Sequence, residues 1–239
     1  MLRALLLIAA LALTPTDAPA LLAEAEAAVA AASAGLRVTA DVTAGSETLT
    51  VQVDLQERAA RLTVQAPAAR QGEVLLLVGE RLWYTRPGLL RPAPISAQQA
   101  LQGAATNRDV VFLLTRAKDA YDAALSGTET VDGTPTRVLQ LTARTAEAPY
   151  PRVRVWIADD PRRVLRLVFQ DSKGQDLRQA DLRWGGSVVI DGKTWPFPTG
   201  ATVRDLRRAG APTVVTWRDP VAMGFPADHF KPEALRSPP

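Results

Sequence analysis

Two neighbouring stretches decide the fold class: Leu36-Arg37-Val38-Thr39-Ala40-Asp41-Val42 and Leu49-Thr50-Val51-Gln52-Val53-Asp54-Leu55. In both, apolar and polar residues alternate. Successive side chains on a strand point to opposite faces, so period two marks a sheet with one buried and one wetted face. Ala44-Gly45-Ser46 between them reads as a turn, which makes the pair antiparallel.

The same pattern recurs outward from this pair. Leu62 and Val64 alternate with Arg61, Thr63 and Gln65. Leu139, Leu141 and Ala143 do so later, then Val153, Val155 and Ile157, then Leu165, Leu167 and Phe169. Val74–Val78 (VLLLV) is apolar at every position and is expected to be covered on both faces; Glu80–Thr85 completes its hairpin. Asp132-Gly133 and Asp191-Gly192 carry hairpin-turn chemistry. Strand text also fills Tyr121–Glu129, Asp176–Trp184, Val188–Ile190, Lys193–Phe197, Ala201–Leu206 and Thr213–Arg218. In all, about eleven strands follow in meander order, and a single sheet of that size must curl or close.

Two segments break the alternation. Leu21–Ala34 is Ala-rich, has its only charges at Glu24 and Glu26, and ends at Gly35, which predicts a helix. Within Pro92–Asn107, Ser96–Leu101 suits a short helical turn, and Asn107 or Asp109 can cap a helix running through Val110–Leu114 toward Lys118. The expected architecture is mainly β with a helical lid (α+β): an incomplete or closed antiparallel barrel with helices packed in its concavity.

Met1-Leu2-Arg3, the apolar run Ala4–Leu13 and the small-residue site Ala18-Pro19-Ala20 have the layout of a cleaved secretory signal, 1–20. The run is well short of the roughly 20 residues that span a bilayer. The remainder, 21–239, is expected to be one exported, soluble, periplasmic domain, since no linker or composition shift divides it.

Composition removes many chemistries. The chain has no Cys, one His (His229), and a net charge of +3 from 28 basic and 25 acidic residues. That excludes thiolate nucleophiles, disulfides and multi-histidine metal centres, and it does not call for a nucleic-acid partner. Lys118, Lys173, Lys193 and Lys231 are the only lysines; the other basic residues are Arg. A GC-rich genome explains that bias, and a surface meeting anionic headgroups is the alternative. His229 could pair with Asp228 and a serine such as Ser187, but adjacent residues rarely orient one another and no nucleophile-elbow motif exists. Asp159-Asp160-Pro161 reads as turn text, and the odd spacing of Asp176 and Asp181 sends them to opposite faces of a regular strand. No metal site, cofactor or enzymatic activity is expected. Trp83 and Tyr84, adjacent on a strand, must face opposite sides.

The order of several short motifs resembles one family. Gly79-Glu80-Arg81-Leu82-Trp83-Tyr84-Thr85-Arg86-Pro87 leading to Ile95-Ser96, then Asn107–Leu114, then Tyr121 with Leu125-Ser126-Gly127 and Asp132-Gly133, then Val153-Arg154-Val155-Trp156-Ile157, is similar to the LolA-like superfamily of outer-membrane lipoprotein-sorting proteins. Here Trp83 and Tyr84 are adjacent where the family text separates its aromatics, and Ala158 precedes Asp159. The resemblance implies an unclosed barrel under a helical lid with an apolar cavity for lipids or lipoprotein acyl chains. On that basis Leu76, Val78, Trp83, Phe112, Leu113, Val155, Leu167 and Phe169 are the expected cavity lining, with a filled core as the alternative. Arg91 and Arg116, beside the insert, are expected to latch the lid or meet a headgroup. The expected function is a monomeric carrier of acyl chains, possible envelope membrane proteins being its other partners; the alternative is an envelope sensor or adaptor that binds a protein partner.

Overall fold

The computed structural model describes residues 17–27, 31, 34–79, 81–96, 100–102, 105–106 and 117–235. Helix α1 (Ala18–Ala25) comes first, followed by strands β1 (Leu36–Ala44), β2 (Glu47–Gln56), β3 (Ala59–Ala66), β4 (Val74–Val78), β5 (Arg81–Thr85) and β6 (Ala93–Ile95). A small separate hairpin, β7 (Ala100–Gln102) and β8 (Ala105–Thr106), precedes the short helix α2 (Ala117–Ala120). Then come β9 (Tyr121–Val131), β10 (Thr134–Ala143), β11 (Arg152–Ala158), β12 (Arg163–Gln170), β13 (Asp176–Ile190), β14 (Lys193–Asp205) and β15 (Thr213–Ala222).

All but β7 and β8 form one antiparallel sheet of 13 strands, in the order β6-β5-β4-β3-β2-β1-β15-β14-β13-β12-β11-β10-β9. Every neighbouring pair is a hairpin except one: β1 pairs with β15, joining the two meanders. β6 and β9 are the free edges, so the sheet is unclosed. The strand count exceeds the expected eleven, and Ala93–Ile95, too short to show alternation, is one addition. Asp176–Trp184 and Val188–Ile190 are one strand running through bulges at Trp184 and Gly185, and Lys193–Phe197 runs on likewise into Ala201. Asp132-Gly133 and Asp191-Gly192 are the expected turns, with φ of 48° and 79°, and 50° and 75°.

The register defines an inner face, the one α1 packs on. Leu139, Val155, Leu167, Ala180 and Val203 stand opposite one another across β10 to β14. The row beside it, Ala201, Val215, Val42 and Leu49, carries the face through β15 into β1 and β2. The sheet curls: Val188 and Ile190 of β13 pack against Leu36 of β1 and Leu55 of β2, although β14 and β15 lie between them in the strand order.

The expected helices are found in part, with changed bounds. α1 spans Ala18–Ala25, starting before Leu21 because Pro19 fits a first turn that needs no N–H. Residues 28–30 and 32–33 lie outside the described residues. Ala100 and Leu101, expected in a helical turn, are in strand β7, which comes within 8 Å of β1, Cα to Cα. Of the expected helix reaching Lys118, only α2 falls within the described residues.

The outer face is laced with cross-strand ion pairs. Arg154 meets Asp176 at 2.6 Å, Arg166 and Arg204 share Asp181 at 2.6 and 2.7 Å, and Arg218 meets Asp41 at 3.1 Å. Asp176 and Asp181 therefore share a face, against the expectation from their spacing. The cause is a bulge opposite Phe169–Gln170, which places both Leu177 and Arg178 inward.

Candidate functional site

The inner face has two halves with different covers. Over β9–β13, Leu21 and Leu22 of α1 seal a core containing Tyr121, Tyr150, Val153, Val155, Leu167 and Phe169. Phe169 stacks on Tyr150 with ring centroids 4.4 Å apart. Val155, Leu167 and Phe169, expected to line a cavity, are 1%, 4% and 1% exposed. Side chains around an empty space would keep accessible surface; these are packed, so this half has the filled core that was the alternative. Glu26 fastens the helix: its carboxylate accepts the backbone N–H groups of Ala117 at 2.6 Å and Lys118 at 3.3 Å. Burial pushes the Glu26 carboxyl above its usual range despite those bonds.

The second half, β1–β5 with β15, carries an apolar face separate from the core that α1 seals. Val42, Leu49, Val51 and Val64 are buried there, with Val53, Leu62, Val215 and Trp217 half-buried against them. Ala60, Leu75, Leu77 and Leu82 continue it, with Leu55 and Ile95 alongside. At the tip of the β13–β14 hairpin, Val188 and Ile190 close one end over Leu36 and Leu55. Near Leu75 the face ends in polar groups: Tyr84 opposite Leu75, and Glu73 bound by Arg70 at 2.7 Å. Burial, then the neighbouring Glu73 carboxylate, raises the Tyr84 phenol above its ordinary value, so it stays a neutral hydrogen-bonding group. The arrangement is a wide, buried apolar face with a polar rim, and among the described residues it carries no array of acid–base or nucleophilic groups. Among the described residues no cluster could hold a metal ion.

Leu76, Val78 and Trp83 are corrected more fully. They point outward, because their neighbours Leu75, Leu77 and Leu82 take the inner face. VLLLV is covered on both faces as expected, but its outer cover is the C-terminal segment: Phe230 and Leu235 pack on Val74, Leu76, Val78 and Trp83. Arg91 is exposed on the connection to β6, away from any described lid. Phe112, Leu113 and Arg116 lie outside the described residues.

His229 pairs with neither Asp228 nor Ser187. Its Nε2 is 2.7 Å from Asp54 Oδ2, and Asp54 also accepts Arg37 Nε at 2.6 Å and Arg37 Nη2 at 2.9 Å. The ring stacks on Phe225 at 4.7 Å and meets Phe230 edge-on at 4.9 Å. This is a clasp that holds the C-terminal segment to the outer face.

Sequence reasoning did not single out the Val51, Val53, Leu62 and Trp217 cluster. Their alternation was visible, but alternation does not say which part of an apolar face a helix seals.

A family model described as "Uncharacterized protein" matches residues 56–237. The chain belongs to that family. No curated protein matches the sequence. Among solved structures, a domain named for outer membrane lipoprotein sorting, from Vibrio parahaemolyticus, aligns with a TM-score of 0.72 at 17% identity, covering 90% of this chain and 97% of that one. A DUF1329 family protein from Desulfovibrio piger gives 0.70 at 22% identity, with 92% and 99% covered. A LolA superfamily protein from Nitrosomonas europaea gives 0.69 at 21% identity, with 87% and 97% covered. The fold is therefore LolA-like, as the motif order indicated.

Proposed function

We propose that this protein is a non-catalytic periplasmic carrier that takes up the acyl chains of lipids or lipoproteins on the inner face of β1–β5 and β15. The single observation behind the reading is the continuous apolar face running from Val42 and Val51 through Leu62 to Leu77, separate from the core that α1 seals. Supporting it, the LolA-like fold occurs in a domain named for lipoprotein sorting. Removing apolar surface from water drives such binding at roughly 25 cal/mol per Å2, before the costs of ordering the chain. The Tyr84–Glu73–Arg70 rim would keep a polar headgroup at the water boundary. Among the described residues no helix is long and apolar enough to cross a membrane.

Trp217 lies on this face and reports on it directly. A fatty acid brominated along its chain quenches a tryptophan it touches, so titration should quench the wild type and quench Trp217→Phe much less. No quenching, together with no lipid carried through purification by native mass spectrometry, would overturn the reading. A stoichiometric protein partner recovered independently of lipid would favour an adaptor role instead.

A further inference from the structure

The β10–β11 end of the sheet holds a cleft separate from the apolar face of β1–β5 and β15. It has a volume of about 660 Å3 and is lined by Thr142, Arg144, Thr145, Arg152 and Ser172 together with small apolar residues of the β10–β11 connection. No carboxylate is in that lining. Thr142 of β10, Arg152 of β11 and Gln170 of β12 stand opposite one another, so the strand register itself builds the floor.

The charges around the cleft do not balance. Asp122 holds Arg144 at 2.9 Å. Asp176 is taken by Arg154 at 2.6 Å and by Gln170 Nε2 at 2.8 Å. Asp171 accepts the backbone N–H groups of Lys173 and Gln175, both at 2.9 Å. Glu147 is hydrogen-bonded to Thr145. Each nearby acid is thus already engaged, yet Arg152 has no anionic partner among the described residues; its buried Nε, like those of Arg154 and Arg163, lacks a hydrogen-bond partner. The guanidinium is held beside Gly174, with Nη1 3.5 Å from where a Cβ on that residue would stand. The Arg152 guanidinium thus lines the cleft without a charge partner, and an anion entering the cleft would supply one.

We infer that this cleft is an anion site that takes a phosphate group, with Arg152 as its principal ligand and the Thr142 and Ser172 hydroxyls as further donors. Donors on three separate strands and turns suit a tetrahedral oxyanion better than a planar carboxylate. The volume leaves room for whatever the phosphate is attached to. Guanidinium–phosphate pairing is charge-assisted and directional, which an ammonium would not reproduce in the same way. The inference stands independently of the carrier reading, because no residue lining the cleft belongs to the apolar face of β1–β5 and β15.

The test titrates the full chain with inorganic phosphate, by calorimetry and by following the Arg152 Nε–H resonance. Vesicles of phosphatidylcholine with and without phosphatidic acid form the second arm. Saturable phosphate binding that moves this resonance, and that weakens about tenfold or more in Arg152→Gln, supports the site. Ser172→Ala should weaken binding too, which keeps the test decisive if Arg152→Gln folds poorly. Lys173→Gln removes an equal charge from the adjacent turn and should change little. Response to free phosphate alone assigns a soluble phosphate compound; response only to phosphatidic acid vesicles assigns a lipid headgroup. The inference is overturned if neither probe binds, if acetate binds as well as phosphate, or if Lys173→Gln weakens binding as much as Arg152→Gln.

Discussion

Replacing Asp54 with Ala should unclasp the C-terminal segment from the outer face. The Asp54 side chain is 1% exposed and accepts hydrogen bonds from Arg37 at 2.6 and 2.9 Å, from Gln52 at 3.2 Å and from His229 at 2.7 Å. Removing the acid leaves three cationic or polar partners, Arg37, Gln52 and His229, without their shared acceptor. Breaking a buried ion pair costs 3–5 kcal/mol, and the low end applies because Arg37 is itself 36% exposed and can rehydrate. The expected loss is about 3 kcal/mol, read as a fall of about 1–2 M in the urea midpoint. A double-mutant cycle with His229→Ala should give a coupling of about 1 kcal/mol, since His229 is one of several donors to the same acid.

The pH dependence follows with a definite sign. Burial alone would push the Asp54 carboxyl up; the hydrogen bonds and charges of Arg37 and His229 together outweigh burial and hold it below the usual range. A carboxyl lowered by folding contributes fully above its unfolded value of about 3.9 and loses that contribution as pH falls through the folded value. The stability gap between wild type and Asp54→Ala should therefore be constant at neutral pH and shrink only below about pH 4. An Asp54→Ala protein within about 0.5 kcal/mol of wild type, or no coupling to His229, would refute the clasp.

Glu26→Gln should show the opposite pH trend. Because folding raises the Glu26 carboxyl, its contribution is complete below the unfolded value and declines as pH rises through the folded one. The melting temperature of wild type relative to Glu26→Gln should drop between about pH 4 and 7, and a flat difference would show that the carboxyl is not displaced. Gly200→Ala should cost about 2 kcal/mol or more, because its Cβ would collide with the Val215 carbonyl and the Arg183 guanidinium at the β14–β15 junction. Amide exchange would locate the loss at β14 and β15, and protection equal to wild type would contradict the packing there.

Some of this structure was legible because a local rule sufficed. Leu36, Val38, Ala40 and Val42 alternate, and they share the inner face. Asp191-Gly192 turns the chain because both residues adopt positive φ. VLLLV has two apolar faces, and both are covered. The site residues were less legible. Trp83 and Leu76 satisfy the same alternation as Leu82 and Leu75, and nothing within β4 or β5 marks which set turns inward. Asp176 and Asp181 escaped a parity rule because a single bulge near Leu177 reverses parity beyond it. His229 looks isolated in sequence because its partner, Asp54, lies 175 residues away and reads locally as the polar half of an alternating strand.

The amino-acid sequence by itself determined that this protein is a large antiparallel sheet with short turns, because strand periodicity and turn chemistry act between residues close along the chain. It also determined the scarcity of catalytic groups, which is composition alone. Tertiary structure decided the rest. The pairing of β1 with β15 joins residues 36–44 to residues 213–222, and this link makes one curled sheet out of two meanders. Where α1 settles decides which half of the inner face it seals into a core and which half forms a separate apolar cluster. Much of the arginine content likewise has its role only in the assembled sheet, where Arg154, Arg166, Arg204 and Arg218 find aspartates on neighbouring strands. Arg152 finds none, and that difference is set by position across the sheet, which no one-dimensional pattern contains.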